Sequence, residues 1–354
     1  MAFSLDKIIR DNVKKMKPYS SARDEYKGKD GVFLDANENS FGSVITKSVH
    51  RYPDPLQWKV KHALSEVKNV PAENIFLGNG SDEPIDLILR AVCVPGKDAI
   101  ITLPPTYGMY EVSANLNDVK IIEVPLSADY NLREEAILKA VTPEVKVIFI
   151  CSPNNPTGNL MNRTAIQNIL TQFDGIVVVD EAYIDFASEP SFTELLNKYP
   201  NLLVMQTFSK AWGLAALRLG IAYASTELIQ VLNKIKPPYN INQMTQELAL
   251  EAIQNVDFKN ELVAQILEQR TWLEKELKQL PCIKHIVPSD ANFILVKTQD
   301  GTDMYNYLVS NQVITRNRSS VLLCEGGVRI TVGTPPENQL LIDLLKKYKK
   351  AELV

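Results

Sequence analysis

Between about Asn74 and Ala224 the sequence alternates short β-rich runs with helical stretches, and nothing else in the chain restricts its fold as much. The β-rich runs cover residues 75–77, 99–103, 119–124, 145–151, 176–180, 202–208 and 219–224. Helical patterns over residues 83–94, 107–115, 132–141, 163–173 and 192–198 separate them. Runs such as Gly175-Ile176-Val177-Val178-Val179-Asp180 are apolar without alternation, as strands covered on both faces must be. The pattern predicts an α/β fold built on a large, doubly wound, mostly parallel seven-stranded sheet.

Pro237-Pro238 interrupts the chain after a helical stretch at 227–235. Beyond it, a long helical pattern over 242–280 leads to strand candidates at 283–287, 293–296, 313–316 and 328–331, then to a last helix over 337–349. These read as a smaller α+β C-terminal domain. With 354 residues there is length for two domains. The expected division is 1–35 for an N-terminal arm and part of the small domain, 36–238 for the large domain and 239–354 for the small one.

Composition removes several function classes. Lys and Arg number 38 against 42 Asp and Glu, a net charge of −4, so the basic excess of a nucleic-acid binder is missing. The longest apolar runs fall far short of the roughly 20 residues of a membrane helix. Four cysteines without C-x-x-C spacing read as reduced thiols of a cytoplasmic protein. No metal site is expected, because His50, His62 and His285 lack ligand spacing, and no G-x-S-x-G turn signals a serine hydrolase.

In open α/β sheets, ligands bind outside the carboxyl ends of the strands. There the sequence places Gly78-Asn79-Gly80-Ser81-Asp82-Glu83, Pro104-Pro105-Thr106-Tyr107, Ser152-Pro153-Asn154-Asn155-Pro156-Thr157-Gly158, Asp180-Glu181-Ala182-Tyr183 and Ser209-Lys210. Singly, each has an ordinary reading as a tight turn, a loop carboxylate or a solvated lysine. The Gly-rich turn is neither a dinucleotide fingerprint, since Glu83 stands at the last glycine position, nor a Walker loop. Thr207 and Ser209 with Arg218 offer two hydroxyls and a guanidinium for a phosphate dianion. Taken together, an imine-forming lysine, a carboxylate for a pyridine nitrogen, a phenol and an amide for a ring hydroxyl, and a phosphate cup meet the needs of pyridoxal 5'-phosphate.

The motifs Asn154-Asn155-Pro156-Thr157-Gly158, Asp180-Glu181-Ala182-Tyr183 and Thr207-Phe208-Ser209-Lys210 with Arg218 resemble, in order and spacing, those of the fold-type I pyridoxal-phosphate aminotransferases. Lys17-Pro18-Tyr19, Leu34-Asp35-Ala36-Asn37-Glu38-Asn39, Arg51-Tyr52-Pro53-Asp54 and Val328-Arg329-Ile330-Thr331-Val332-Gly333-Thr334 make the chain similar to the histidinol-phosphate aminotransferase family from about residue 17 to residue 334. Ser40 departs from that pattern, which usually has proline there.

This resemblance implies a transaminase of histidine biosynthesis that converts L-histidinol phosphate and 2-oxoglutarate into imidazole acetol phosphate and L-glutamate. Lys210 and Asp180 would be catalytic, the first as imine and proton carrier, the second as partner of the ring nitrogen. Asn155 and Tyr183 would meet the ring oxygen, and Tyr107 the ring face. Gly80, Ser81, Asp82, Thr207, Ser209 and Arg218 would hold the phosphate, the Asp82 carboxylate capping its helix. Tyr52 would reach the phosphate in the neighbouring subunit of a homodimer. Tyr19, Asn37, Arg316 and Arg329 would bind substrate. A threonine-phosphate decarboxylase-like lyase or an aromatic amino acid aminotransferase uses the same lysine and carboxylate and stays open. A non-catalytic ligand sensor is the remote alternative.

Overall fold

The computed structural model describes residues 3–19 and 31–348. Part of the expected arm, residues 20–30, therefore lies outside the described residues, as does residue 349 of the last helix. Seven strands form the larger sheet: β1 (Ile75–Asn79), β2 (Ala99–Thr102), β3 (Lys120–Glu123), β4 (Val145–Cys151), β5 (Ile176–Asp180), β6 (Leu202–Thr207) and β7 (Leu219–Tyr223). Their order is β1-β7-β6-β5-β4-β2-β3. β7 runs antiparallel to both neighbours, and the remaining pairs are parallel. The expected doubly wound α/β sheet is present.

Why the central strands lack polar alternation is visible in the packing. Side chains of a strand point alternately to its two faces, and here each face meets its own apolar core. Val177 and Val179 of β5 pack with Ile148, Ile150 and Val204 in one core. Ile176 and Val178 pack with Val147, Phe149 and Leu203 in the other. Helices Trp58–Lys68, Arg163–Gln172 and Gln243–Gln254 cover the first face through Val60, Leu64, Ile166, Ile169, Ala249 and Ile253. Asp82–Val92, Met109–Leu116 and Thr226–Ile235 cover the second through Ile85, Ile88, Tyr110, Ala114, Leu228 and Leu232. Each fully buried aliphatic side chain contributes about 1.5–3 kcal/mol, so a polar residue inside either layer would be costly. Polar chemistry is thereby pushed to the strand ends.

A four-stranded antiparallel sheet follows, in the order β10 (Arg316–Asn317), β11 (Gly327–Thr331), β9 (Phe293–Lys297) and β8 (His285–Ile286). Helices Val256–Leu277, Gly301–Ser310 and Pro335–Lys347 pack on it through Leu273, Leu277, Met304, Leu308, Leu341 and Ile342. We keep the division into residues 1–35, 36–238 and 239–354 as a proposal, in which helix Gln243–Gln254 leans on the core of the larger sheet.

Two expected helices differ. The pattern over 242–280 breaks into two helices at Asn255, whose φ of −102° and ψ of 31° close one helix and open the next. The stretch 192–198 yields only the 3-10 turn Phe192–Leu195, opened by the Ser191 side chain accepting from the Thr193 N–H.

Candidate active site

A cavity of about 720 Å³ opens at the carboxyl ends of the strands of the larger sheet. It gathers Ser81, Asp82, Tyr107, Asn155, Asp180, Tyr183, Thr207, Ser209, Lys210, Arg218, Arg316 and Arg329, twelve of the residues singled out in the sequence.

One end is a loop built for close approach. Gly80 holds a left-handed φ of +75°, and a Cβ there would stand 2.7 Å from the Arg218 guanidinium. A Cβ on Gly220 would lie 2.4 Å from the Gly80 and Ser81 backbone. The loop is tied down by the Gly80 N–H donating to the Arg218 carbonyl at 2.8 Å. Helix Asp82–Val92 begins here, and the first N–H groups of a helix have no carbonyl partner within it. Arg218 itself takes a left-handed φ of 52°, which costs a non-glycine residue roughly 1 kcal/mol. Its guanidinium donates to Ser209 Oγ at 3.4 Å and pairs with Asp82 at 3.6 Å. The Asp82 carboxylate is thus not the expected helix cap: it accepts from the Tyr107 hydroxyl at 3.2 Å and faces Arg218.

Asp180 ends β5 and is 3 % exposed. One carboxylate oxygen accepts from the Tyr110 hydroxyl at 2.6 Å, the other from the Ala182 N–H at 3.1 Å. Burial still dominates and lifts its pKa above the ordinary carboxylate range, with those hydrogen bonds opposing. A cation set against this carboxylate would restore its ionised form. Tyr110 escapes the sequence reading because it sits in an amphipathic helix and stacks on Phe149, ring centroids 4.6 Å apart, like any core aromatic.

Lys210 follows β6 by three residues and sits with its Nζ 5.6 Å from the Tyr183 ring centroid. Burial pushes its amine below the usual lysine range, and Arg329 and Arg218 push it further. A neutral amine is therefore easier to reach here than on a solvated lysine.

The loop after β4 carries Asn154 and Asn155 into different tasks. Asn154 is buried and ties loops together, donating to the Pro105 carbonyl at 2.9 Å and to Thr157 Oγ1 at 2.7 Å while accepting from Thr106. Asn155 faces the cavity, where its Oδ1 accepts from the Arg329 guanidinium. That leaves the Asn155 amide N–H groups to donate. Arg329 lies across the ladder from Arg316, with its guanidinium 5.1 Å from the Phe293 ring centroid. Arg318, a residue the sequence reading passed over, lines the same wall.

Four expected residues do not line this cavity: Gly80, in the loop described above, and three more. Tyr19 is 71 % exposed at the edge of the described residues. Asn37, at a φ of 54°, and Tyr52 border a separate groove. That segment is held by Glu38, which pairs with Arg51 at 2.6 Å and accepts from the Tyr52 N–H at 2.7 Å. The Tyr52 ring stacks on Tyr239, centroids 4.4 Å apart.

The profile of the family described as Aminotransferase class I and II matches residues 28–345. The chain belongs to the class I and II aminotransferases. This aminotransferase is 66 % identical to a histidinol-phosphate aminotransferase of Cytophaga hutchinsonii, over 98 % of this chain and 100 % of the relative. It is 52 % identical to one of Parabacteroides distasonis, over 98 % and 99 %. Among solved structures, the aminotransferase matches histidinol-phosphate aminotransferase from Sinorhizobium meliloti in complex with pyridoxal-5'-phosphate. That match has a TM-score of 0.78 at 24 % identity, covering 88 % of this chain and 89 % of that one. The likeness bears on fold.

Proposed function

We propose that this aminotransferase passes the amino group of L-histidinol phosphate to 2-oxoglutarate, giving imidazole acetol phosphate and L-glutamate in histidine biosynthesis. One observation carries the reading from the geometry. Lys210 shares a single cavity with two groups of guanidinium: Arg218 beside Ser209 and Asp82, and Arg316 with Arg329 on the smaller sheet. One anion site suits a cofactor phosphate; the other suits the phosphate of the amine or the carboxylate of glutamate.

The cofactor is pyridoxal 5'-phosphate, and two features of this chain fit it. The Gly80–Gly220 contact leaves no room for a side chain where backbone N–H groups meet the cavity. The buried Asp180 lacks only a cation to be ionised at low cost. When bound, the cofactor supplies a ring that accepts electrons from the substrate's amine-bearing carbon. The N–H groups of Ser81 and Asp82, the hydroxyls of Thr207 and Ser209, and Arg218 would hold its phosphate, whereas the Gly80 N–H, expected to join them, is already given to the Arg218 carbonyl. Asp180, oriented by Tyr110, would keep a proton on the ring nitrogen. Asn155, its Oδ1 occupied by Arg329, and Tyr183 would donate to the ring oxygen, and Tyr107 would cover the ring face. Lys210 would anchor the cofactor, and its neutral Nζ would take the proton from the substrate carbon.

Tyr52 borders a separate groove of its own chain, and a second copy would bring it to the site. We propose a homodimer, supported by the exposed apolar side chains Phe41, Val44, Ile45, Tyr52 and Trp58 on residues 41–58. Among the described residues no helix is long and apolar enough to cross a membrane. We place the protein in the cytoplasm, a reading supported by four free cysteines.

A donor panel tests the reaction. With 2-oxoglutarate as acceptor, glutamate should form fastest from L-histidinol phosphate, at least about 10-fold ahead of phenylalanine in kcat/KM, as one charge-assisted anion contact predicts. Carbon dioxide release from threonine phosphate without glutamate formation would overturn the reading in favour of a lyase.

A further inference from the structure

We propose that Arg318 is a specificity residue: a third guanidinium of the substrate-anion wall that favours a phosphate dianion over a carboxylate. The inference rests on the transaminase reading above and concerns the same cavity. Its basis is strand geometry. β10 and β11 pair antiparallel with Arg316 opposite Arg329 and Asn317 opposite Val328. The Arg318 N–H donates to the Gly327 carbonyl at 2.8 Å, which extends the ladder one residue beyond β10. Alternation along an extended strand puts Arg316 and Arg318 on one face and turns Asn317 to the other. The Asn317 amide indeed donates to Thr302 Oγ1 at 3.0 Å, away from the cavity. Arg316, Arg318 and Arg329 all line the cavity that holds Lys210.

The loop beyond Arg318 is braced, so the guanidinium is carried on a fixed backbone. The Val321 N–H donates to the Arg318 carbonyl at 2.9 Å. The Leu323 carbonyl, on a residue with a left-handed φ of 61°, accepts from the Tyr130 hydroxyl at 2.7 Å and from Lys297 Nζ at 2.8 Å. Gly326, at a φ of +69°, accepts from the Thr298 N–H at 2.9 Å.

Charge then selects the ligand. Among the described residues, no carboxylate pairs with Arg316, Arg318 or Arg329. Burial and the two neighbouring guanidiniums press the Arg318 pKa downward, so the three cations repel one another until an anion arrives. A carboxylate brings one charge and two oxygens, which two guanidiniums satisfy. A phosphate monoester brings about −1.5 to −2 at pH 7 and three acceptor oxygens. The third guanidinium therefore acts chiefly on the phosphate-bearing substrate.

The test compares Arg318→Gln and Arg318→Lys with the parent holoenzyme in two half-reactions, one with L-histidinol phosphate and one with L-glutamate. Unphosphorylated L-histidinol serves as a third donor, and inorganic phosphate as a competitive inhibitor of the glutamate half-reaction. In Arg318→Gln, KM for histidinol phosphate should rise about 10–100-fold, the effect of one lost charge-assisted contact. KM for glutamate and for histidinol should rise no more than about 3-fold, as expected of a side chain outside the carboxylate's own contacts. The inhibition constant of inorganic phosphate should rise with the first of these, kcat should stay near its parent value, and Arg318→Lys should recover part of the loss. Equal rises for phosphorylated and unphosphorylated donors, or an unchanged phosphate inhibition constant, would overturn the proposal. Failure of the parent enzyme to use histidinol phosphate at all would instead count against the function reading. Phosphate inhibition of the glutamate half-reaction would still decide the role of Arg318.

Discussion

Lys210→Ala should lower kcat by about 10⁴-fold or more, because in the proposed assignment it would remove both the covalent anchor and the group that moves the substrate proton. Cofactor binding should survive in weakened form, since the loop at Gly80, the hydroxyls of Thr207 and Ser209, and Arg218 all remain. The fold should survive as well. Burial works against the Lys210 ammonium, so its removal relieves the site and does not break a network. Single-turnover rates, cofactor retention on a desalting column and the thermal midpoint check the three statements. A variant that turns over at near-parental rate would remove Lys210 from the chemistry.

For Asp180→Asn the expectation is a loss of about 10²–10³-fold in kcat, the usual effect of removing one preorganised electrostatic partner. The substitution keeps the shape, with the amide oxygen left to accept from the Ala182 N–H and the NH2 to donate to the Tyr110 oxygen. A second consequence concerns stability without cofactor. The folded-state pKa of Asp180 is raised above its unfolded value by burial. A group shifted in this direction contributes stability that is present below its unfolded pKa and lost as pH rises through the folded one. At pH 7 the cofactor-free Asp180→Asn protein should therefore melt above the cofactor-free parent. The difference should shrink toward about pH 4, where carboxylates of ordinary pKa take up a proton. Saturating cofactor should narrow or reverse the order, because in the proposed assignment a ring cation would pair with the carboxylate. Thermal melts at several pH values, with and without pyridoxal 5'-phosphate, measure all of this. A parent that melts above the variant in the absence of cofactor at pH 7 would show that Asp180 is not the strained acid described here.

Much of this site is legible in the sequence, for a physical reason. The central strands are apolar on both faces, so the first polar residues at their carboxyl ends are conspicuous; Asp180 after Ile176-Val177-Val178-Val179 is the clearest case. Gly80, Asn155, Lys210 and Arg218 stand in short segments whose local motif and strand order together assign a place on the rim. What the sequence hides are residues whose partners come from afar. Tyr110 reads as core until its hydroxyl is seen on Asp180, seventy positions away. Arg318 lies in an irregular stretch, and only the pairing of β10 with β11 shows that it continues the Arg316 face. Its one sequence signal is the Arg-x-Arg spacing, which is meaningful once an extended strand is assumed. Asn255 illustrates the converse: a continuous helical pattern is broken by a residue that takes a non-helical ψ of 31°. Tyr19, Asn37 and Tyr52 do not line the cavity of the single chain, and the homodimer proposed above is what would bring Tyr52 to it.

Borohydride reduction of the protein loaded with pyridoxal 5'-phosphate, followed by peptide mass analysis, reads the lysine that carries the cofactor. The pyridoxyl mass should appear on the peptide containing Lys210, near one per chain, and Asp180→Asn should leave the attachment point unchanged. Attachment at another lysine would contradict the assignment, above all at Lys61, whose amine burial and Lys236 lower to about 8. So would a loaded protein that keeps no pyridoxyl group after reduction.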